Sequence, residues 1–200
     1  MQDDLKNNIA SKSKKEKASF TKGFIEQLEL VVIFFAILIL VFSFMCKSCM
    51  VDGDSMLNTL HHQERVIVWN LFYKPAYGDI VVIHDNKNLN KPIVKRIIGL
   101  PGDTVFVEHS IDAMTVTVTH SDGTSNVLTE EYVRYDLNGG SLSYYPPMAT
   151  YKVDEGEVFV MGDNRLNSVD SRLEGCYDTR QILGKVIFRM TPFDKMGTVK

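Results

Sequence analysis

The chain contains 200 residues, of which 44% are hydrophobic and 24% charged, and its formal net charge is -3. This balance lacks the surplus of Lys and Arg that neutralises phosphate groups, so the composition excludes nucleic acid as an expected partner. The part of the chain outside any membrane segment has the size of a single domain, so one catalytic unit is expected.

An uncharged apolar segment lies near the amino end. It runs from Leu30 to Cys46, seventeen residues, and Leu28 extends it when Glu29 sits at the interface. Such a length crosses a bilayer as a helix. A buried core helix would carry a polar face, and a cleaved secretory signal would have a shorter apolar region followed by small residues. The sequence therefore predicts one uncleaved transmembrane helix over residues 28–46.

The polar tail before this segment, residues 1–27, is rich in lysine. Only Lys47 follows the span closely, whereas a cluster of lysines precedes it, including Lys12, Lys14, Lys15, Lys17 and Lys22. The positive-inside rule places the tail in the cytoplasm and residues 47–200 outside it. The tail has no apolar periodicity, so we expect it to be disordered or to lie against anionic headgroups.

Three cysteines, Cys46, Cys49 and Cys176, are too few and too irregularly spaced for a disulfide framework. Cys46 and Cys49 flank the membrane segment rather than opening a helix in a βαβ unit, which disfavours a redox or metal-binding role. We expect a structural role for the cysteines and no metal or cofactor.

The region beyond the anchor is a series of short apolar or alternating runs separated by turn residues such as Pro101-Gly102 and Asp122-Gly123. These runs predict strands: 65–69, 79–83, 93–98, 104–107, 115–119, 157–161 and 185–188. No amphipathic helical pattern of useful length separates them. The expected fold is mainly β, with residues from about 104 to 155 forming a small appended β lobe.

Ser55 follows Gly53-Asp54, just after the anchor. A serine hydroxyl in a tight turn can act as a nucleophile while its backbone N–H serves an oxyanion site. An isolated Gly-Asp-Ser sequence is more often an ordinary turn cap. The G-x-S-x-G elbow is absent because Leu57 stands where glycine is required. The GDSL esterases, which the sequence Gly53-Asp54-Ser55-Met56 resembles, pair the serine with a late Asp-x-x-His sequence that this chain lacks.

Lys95 is a candidate base for this serine. Strand periodicity puts it on the same face as Ile93 and Ile97. An ammonium between two isoleucines either extends to water or is held neutral for a chemical purpose. Desolvation that lowers the pKa of a lysine would let it accept the serine proton.

A dense polar stretch, residues 162–172, directly follows the predicted strand that ends at Met161. It combines acids, arginines and small hydroxyls that can form bidentate pairs and orient an amine. This chemistry alone is consistent with two interpretations of the stretch, a solvated loop and a functional site.

Taken together, the three blocks resemble the bacterial type I signal peptidases. The family pattern has a Ser-Met block after a transmembrane helix, matched here by Ser55-Met56. It continues with a Lys-Arg block, matched by KRIIGLPGD at 95–103, and a GDNRxxSxDSR block, matched at 162–172. Order and spacing agree from the anchor to residue 172.

The resemblance implies an all-β catalytic domain in which Ser55 is the nucleophile and Lys95 its general base. By the same resemblance, Ser168 orients the lysine amine, and the ionic scaffold beneath the site consists of Asp163, Asp170 and Arg172. By the same resemblance, the oxyanion would be bound by the Ser55 backbone N–H.

Two positions differ from common forms of the family pattern. The serine block usually reads Ser-Met-x-Pro-Thr, whereas this chain has Asn58 in place of the proline, so the turn that proline would fix is absent. Some relatives carry a serine two places before the nucleophile, where this chain has Gly53.

The function that the resemblance implies is removal of signal peptides from secretory preproteins after small-x-small sites, without metal or cofactor. Its expected surroundings are the lipid bilayer and, as a candidate partner, the secretion translocon. Two other classes remain as alternatives: a self-cleaving Ser/Lys protease of the repressor type, which would be cytosolic, and a membrane-tethered protein that binds preproteins without cutting them.

Overall fold

The structure is a computed structural model that describes residues 23–43, 46–85, 91–109, 114–134 and 145–199. The chain divides into two compact units, Met1–Met45 and Cys46–Lys200. The prediction for the lysine-rich tail falls almost wholly outside the described residues.

The first unit contains one helix, α1, at Gly23–Ser43, which is long and apolar enough to cross a membrane. Its side chains are exposed throughout, as expected for a helix that would face lipid. The helix begins five residues before the predicted start at residue 28. Cys46 was predicted to end the helix but instead begins a strand, because Cys46–Met50 pairs with Arg65–Trp69.

The second unit is built from twelve described strands. They are β1 Cys46–Met50, β2 Arg65–Trp69, β3 Ile80–Asp85, β4 Lys91–Gly99, β5 Thr104–His109, β6 Met114–Thr119, β7 Ser125–Val127, β8 Met148–Lys152, β9 Glu157–Met161, β10 Tyr177–Asp178, β11 Ile182–Thr191 and β12 Gly197–Thr198. A one-turn helix, α2, covers Ser171–Glu174, and 3-10 turns cover Thr179–Gln181 and Phe193–Lys195. The predicted mainly β fold with one amino-terminal helix is confirmed.

The strands form two antiparallel sheets. The large sheet has the order β1-β2-β11-β3-β4-β9-β10, with β12 added to β11. The small sheet has the order β7-β6-β5-β8. Its strands fall inside the range predicted as an appended lobe, 104–155, although they share a core with the large sheet.

That shared core explains the alternation in β6. Val116 and Val118 are buried while Thr115 is exposed, so the strand presents one apolar face, as its sequence predicts. This face packs with Ile98 of β4 and Phe159 of β9. Burial of these side chains places the small sheet against β4, which carries Lys95, and β9, which leads into the polar stretch at 162–172.

Candidate active site

Ser55 lies in a turn that follows β1 and is anchored by buried apolar side chains. Gly53 has a φ of +97°, a conformation that glycine adopts without strain. Met56 and Leu60, 1% and 0% exposed, pack into the core of the large sheet. Their burial holds the turn in place although Asn58 replaces the usual proline.

Lys95 lies at the centre of β4 and is 3% exposed. It shares its face with Ile93 and Ile97, which are also buried, and its strand neighbour on β3 is Val81. The side chain therefore does not extend to water. Its Nζ donates a hydrogen bond of 2.9 Å to Ser55 Oγ.

The same burial disfavours the protonated, charged form of Lys95. Removal of the amine from water lowers the pKa of Lys95 to about 8, against the opposing attraction of Asp170. A substantial fraction of the amine is then neutral at mildly alkaline pH, and a neutral amine can accept the proton of a serine hydroxyl.

The register of β9 brings the polar stretch next to Ser55 and Lys95, the hydrogen-bonded pair that we call the dyad. Arg96 pairs with Met161, the last residue of β9, so Gly162 comes next to Lys95. The approach is close: a Cβ built on Gly162 would lie 2.3 Å from Ser168 Oγ and 2.5 Å from the Ser55 carbonyl oxygen. Only a glycine fits there. We refer to residues 162–172 as the catalytic loop.

Asp163 is fully buried and forms a bidentate ion pair with Arg96, whose Nε and Nη2 donate to the two carboxylate oxygens at 2.8 and 2.7 Å. Thr59 also donates to Asp163, and Arg96 Nη1 donates to the Gly78 carbonyl. The carboxylate thus ties the nucleophile turn to β4.

Asp170 and Arg172 form a second buried pair. Arg172 donates from Nε and Nη2 to Asp170 at 2.8 and 2.7 Å, and the Gly162 N–H donates to the same carboxylate. Burial favours the neutral acid and so raises the pKa of Asp170. The attraction of the Arg172 guanidinium for the carboxylate is stronger and holds the pKa of Asp170 below its usual value. Asp170 also caps α2.

Ser168 is 5% exposed, and its hydroxyl lies against Gly162. Its Oγ makes no hydrogen bond of normal geometry within the described part of the chain. It nevertheless lies close enough to Asp170 to contribute to the lowered pKa of that carboxyl group. The hydroxyl is therefore buried beside the dyad, and the bond to Lys95 that the family resemblance implies stays a prediction.

A cleft of about 230 Å³ opens beside the dyad. Its lining comes mainly from residues 49–55 and 91–95, with Val82, Asn167 and Val169. Exposed Asp52 and Lys91, which both line the cleft, form an ion pair of 3.2 Å. Ser55 and Lys95 both line the cleft, so a peptide lying in it would contact both side chains.

Sequence reasoning placed Asn164 inside the third block but assigned it no role. In the structure its N–H donates to the Ser55 carbonyl at 3.0 Å and its Nδ2 donates to the Asp54 carbonyl at 3.1 Å. Both acceptors are backbone carbonyl groups, which every residue has, so nothing in the sequence of the block distinguishes Asn164. Within the described ranges, no group of three His, Cys, Asp or Glu side chains is arranged to hold a metal ion.

This chain is similar in sequence to known proteins over most of its length. The family model "Signal peptidase, peptidase S26" matches residues 24–191. Signal peptidase I S of Bacillus subtilis is 36% identical over 188 residues, covering 92% of this chain and 97% of that protein. Signal peptidase IB of Staphylococcus aureus is 36% identical and covers 87% and 93%.

A solved structure is also similar. The crystal structure of a signal peptidase I from Enterococcus faecalis is 30% identical, with a TM-score of 0.43, and covers 57% of this chain and 97% of that one. The match to the family model extends from the apolar helix through the catalytic loop to the end of β11. The chain therefore belongs to the signal peptidase family, peptidase S26, and is a peptidase of that family.

Proposed function

We propose that this peptidase is a membrane-bound serine endopeptidase that removes signal peptides from secreted preproteins, with Ser55 as nucleophile and Lys95 as general base. The observation that carries the proposal is the 2.9 Å contact between Lys95 Nζ and Ser55 Oγ, made by a lysine whose burial lowers its pKa to about 8. A serine needs such a base to attack a peptide bond.

The reaction is acyl transfer in two stages. Neutral Lys95 takes the Ser55 proton as Oγ attacks the scissile carbonyl, and the ammonium then protonates the leaving amine. Water attacks the resulting ester while Lys95 accepts a proton from it, and the ammonium then returns that proton to Ser55 Oγ as the ester bond breaks and the new carboxyl end is released. The Ser55 backbone N–H stabilises the oxyanion formed in each stage. Ser168 orients the lysine amine, and the two buried ion pairs, Arg96–Asp163 and Asp170–Arg172, keep the loop in position.

The substrate binds as an extended strand between the two walls of the cleft, where main-chain hydrogen bonds supply affinity and the wall side chains supply specificity. The proposed cleavage site has small residues at the first and third positions before the cut. The amino-terminal helix holds the catalytic domain at the extracytoplasmic surface of the cell membrane, where signal peptides are presented.

The test is cleavage of a peptide with an Ala-x-Ala junction by the detergent-solubilised full chain. Ser55→Ala and Lys95→Met should each abolish cleavage, while each variant still folds and unfolds in a single cooperative thermal transition. Lys152→Met is the matched control, because Lys152 is an exposed lysine whose only described ion pair is with the exposed Asp154. Full activity in a folded Lys95→Met variant would exclude lysine as the base, and failure of the parent to cut any secretory junction would favour a binding role without catalysis.

A further inference from the structure

Asn164 is the residue of the catalytic loop that holds the nucleophile turn. It binds the carbonyl groups of two successive residues, Asp54 and Ser55, through its side-chain amide and its backbone N–H. Fixing these two carbonyls fixes the peptide planes on either side of Ser55. The direction of the Ser55 N–H and the position of its Oγ therefore depend on where Asn164 lies.

The position of Asn164 is in turn set by a segment between β7 and β8 of the small sheet, residues 130–134, which we call the strap. Arg134 forms a parallel bridge with Asn164. The Arg134 N–H donates to the Asp163 carbonyl at 2.9 Å, and the Arg165 N–H donates to the Arg134 carbonyl at 3.1 Å. The strap thus pairs with the backbone on both sides of Asn164.

Side chains of the strap reinforce this pairing. Glu130, 9% exposed, forms an ion pair with Arg165, which is 1% exposed, and Arg165 Nε donates to the Gly162 carbonyl at 3.3 Å. The Tyr132 hydroxyl donates to Glu130. The Tyr132 ring lies 3.8 Å from the Arg96 guanidinium carbon, and Arg96 holds Asp163. Both sequence neighbours of Asn164 are therefore tied to the strap.

We propose that Glu130 and Tyr132 are positioning residues for the Ser/Lys chemistry: they hold Asp163 and Arg165, and through Asn164 they set the position of Ser55. This proposal rests on the proposed function. Neither residue lines the cleft beside the dyad. Loss of the strap contacts should therefore lower kcat and leave KM nearly unchanged, since misplacement of a reacting group by about 1 Å can cost about a hundredfold in rate.

A purely stabilising role predicts something different. A buried ion pair can often be replaced by apolar side chains of similar volume at little cost in stability, whereas removal of one partner is strongly destabilising. Comparison of Glu130→Leu/Arg165→Met with each single substitution separates the two roles. If the pair only stabilises the fold, a double variant that regains stability regains activity as well.

The experiment measures kcat, KM, the thermal unfolding temperature and the pH profile of kcat for the full chain in detergent, with the Ala-x-Ala peptide as substrate. For the double variant we expect an unfolding temperature near that of the parent, KM within about twofold and kcat reduced at least tenfold. The pH midpoint of kcat should stay where it is in the parent. A kcat equal to that of the parent would overturn the proposal, as would a shifted midpoint, which would mean that the pair acts by tuning Lys95.

Tyr132 provides an independent test if the double variant fails to fold. Tyr132→Phe keeps the ring against Arg96 and should retain most of the parental kcat, whereas Tyr132→Leu removes the ring and should lower kcat about fivefold or more with KM unchanged. Equal kcat values in Tyr132→Leu and the parent would overturn the proposal. The Lys95→Met variant, assayed in parallel, keeps the tests distinct: activity in that variant would contradict the proposed base without bearing on the strap.

Discussion

At the scale of single residues, the site depends on a lysine whose burial costs stability. Lys95 is 3% exposed, and its pKa falls from 10.5 to about 8. Each pKa unit corresponds to 1.36 kcal/mol, so the shift represents a cost of about 3 kcal/mol to the folded state when the amine is protonated. Because the folded pKa lies below the unfolded value, this cost is fully present below pH 8 and declines as pH rises toward 10.5.

Lys95→Met removes this cost while keeping a side chain of similar length. We expect the variant to be inactive and to unfold at a higher temperature than the parent at pH 7, with the difference shrinking between pH 8 and pH 10. Calorimetry or circular dichroism at a series of pH values measures this. A variant less stable than the parent at neutral pH would show that the bond from Lys95 to Ser55 outweighs the desolvation of the amine.

The same pKa predicts the pH dependence of catalysis. Since the neutral amine is the reactive form, kcat/KM should rise with pH through a midpoint of about 8 and then level off. The measurement is the rate of peptide cleavage from pH 6 to pH 10 in the Lys152→Met control as well as the parent. A rate that stays constant from pH 6 to pH 8 would argue against a lysine base.

Gly162 gives a second prediction at this scale. An alanine Cβ would lie 2.3 Å from Ser168 Oγ and 2.5 Å from the Ser55 carbonyl oxygen, so one of them must move. We expect Gly162→Ala to lose at least a hundredfold in kcat while the chain still folds. Gly156→Ala is a useful control for general effects, because no atom lies within 4 Å of a Cβ there, although its φ of +79° will cost some stability. Parental activity in Gly162→Ala would mean that the catalytic loop can shift away from the dyad freely.

At the scale of elements, the pairing of β4 with β9 brings the catalytic loop to the dyad. β4 carries Lys95 and Arg96 on successive positions, so the two side chains point to opposite faces of the strand. One face therefore serves the dyad and the other holds Asp163. The register shift between Ile97 and Gly99 lies at the end of β4, next to Val105 of the small sheet.

Gly99, the last residue of β4, packs closely against side chains of β5 and β9. A Cβ on Gly99 would lie 2.8 Å from Val105 Cγ2 and 3.2 Å from Phe159 Cβ. We expect Gly99→Ala to lower the free energy of unfolding by about 1–3 kcal/mol through overpacking, with a smaller effect on kcat than Gly162→Ala has. Urea titration checks the stability change. An unchanged unfolding midpoint would show that the two sheets can separate slightly at little cost.

At the scale of the whole molecule, the helix Gly23–Ser43 is consistent with a membrane protein, and its orientation is a proposal from the lysines before it. We expect protease added to intact spheroplasts to digest the domain after the helix and to spare the lysine-rich tail. The matched experiment uses inverted vesicles, in which the tail should be digested first. The opposite pattern of protection would place the catalytic domain in the cytoplasm.

Local sequence patterns were enough to predict the β-rich class, the apolar helix and a set of candidate site residues. These follow from local patterns: strand alternation at Thr115–Thr119, the uncharged run at Leu30–Cys46, and three motif blocks with a family resemblance. The ends of elements were less predictable. Strand β1 was missed because Cys46–Met50 has little apolar alternation and is specified by its pairing with β2.

The way in which the site is assembled, by contrast, could not be predicted from local patterns. Strand periodicity left open whether Lys95 extends to water, because solvent access depends on what covers the strand face, and that cover comes from residues far away in the chain. The support of Ser55 by Asn164, and of Asn164 by the strap, depends on backbone carbonyls and long-range contacts. Such contacts have no residue-type signature, so they become visible only when the two sheets and the catalytic loop are brought together.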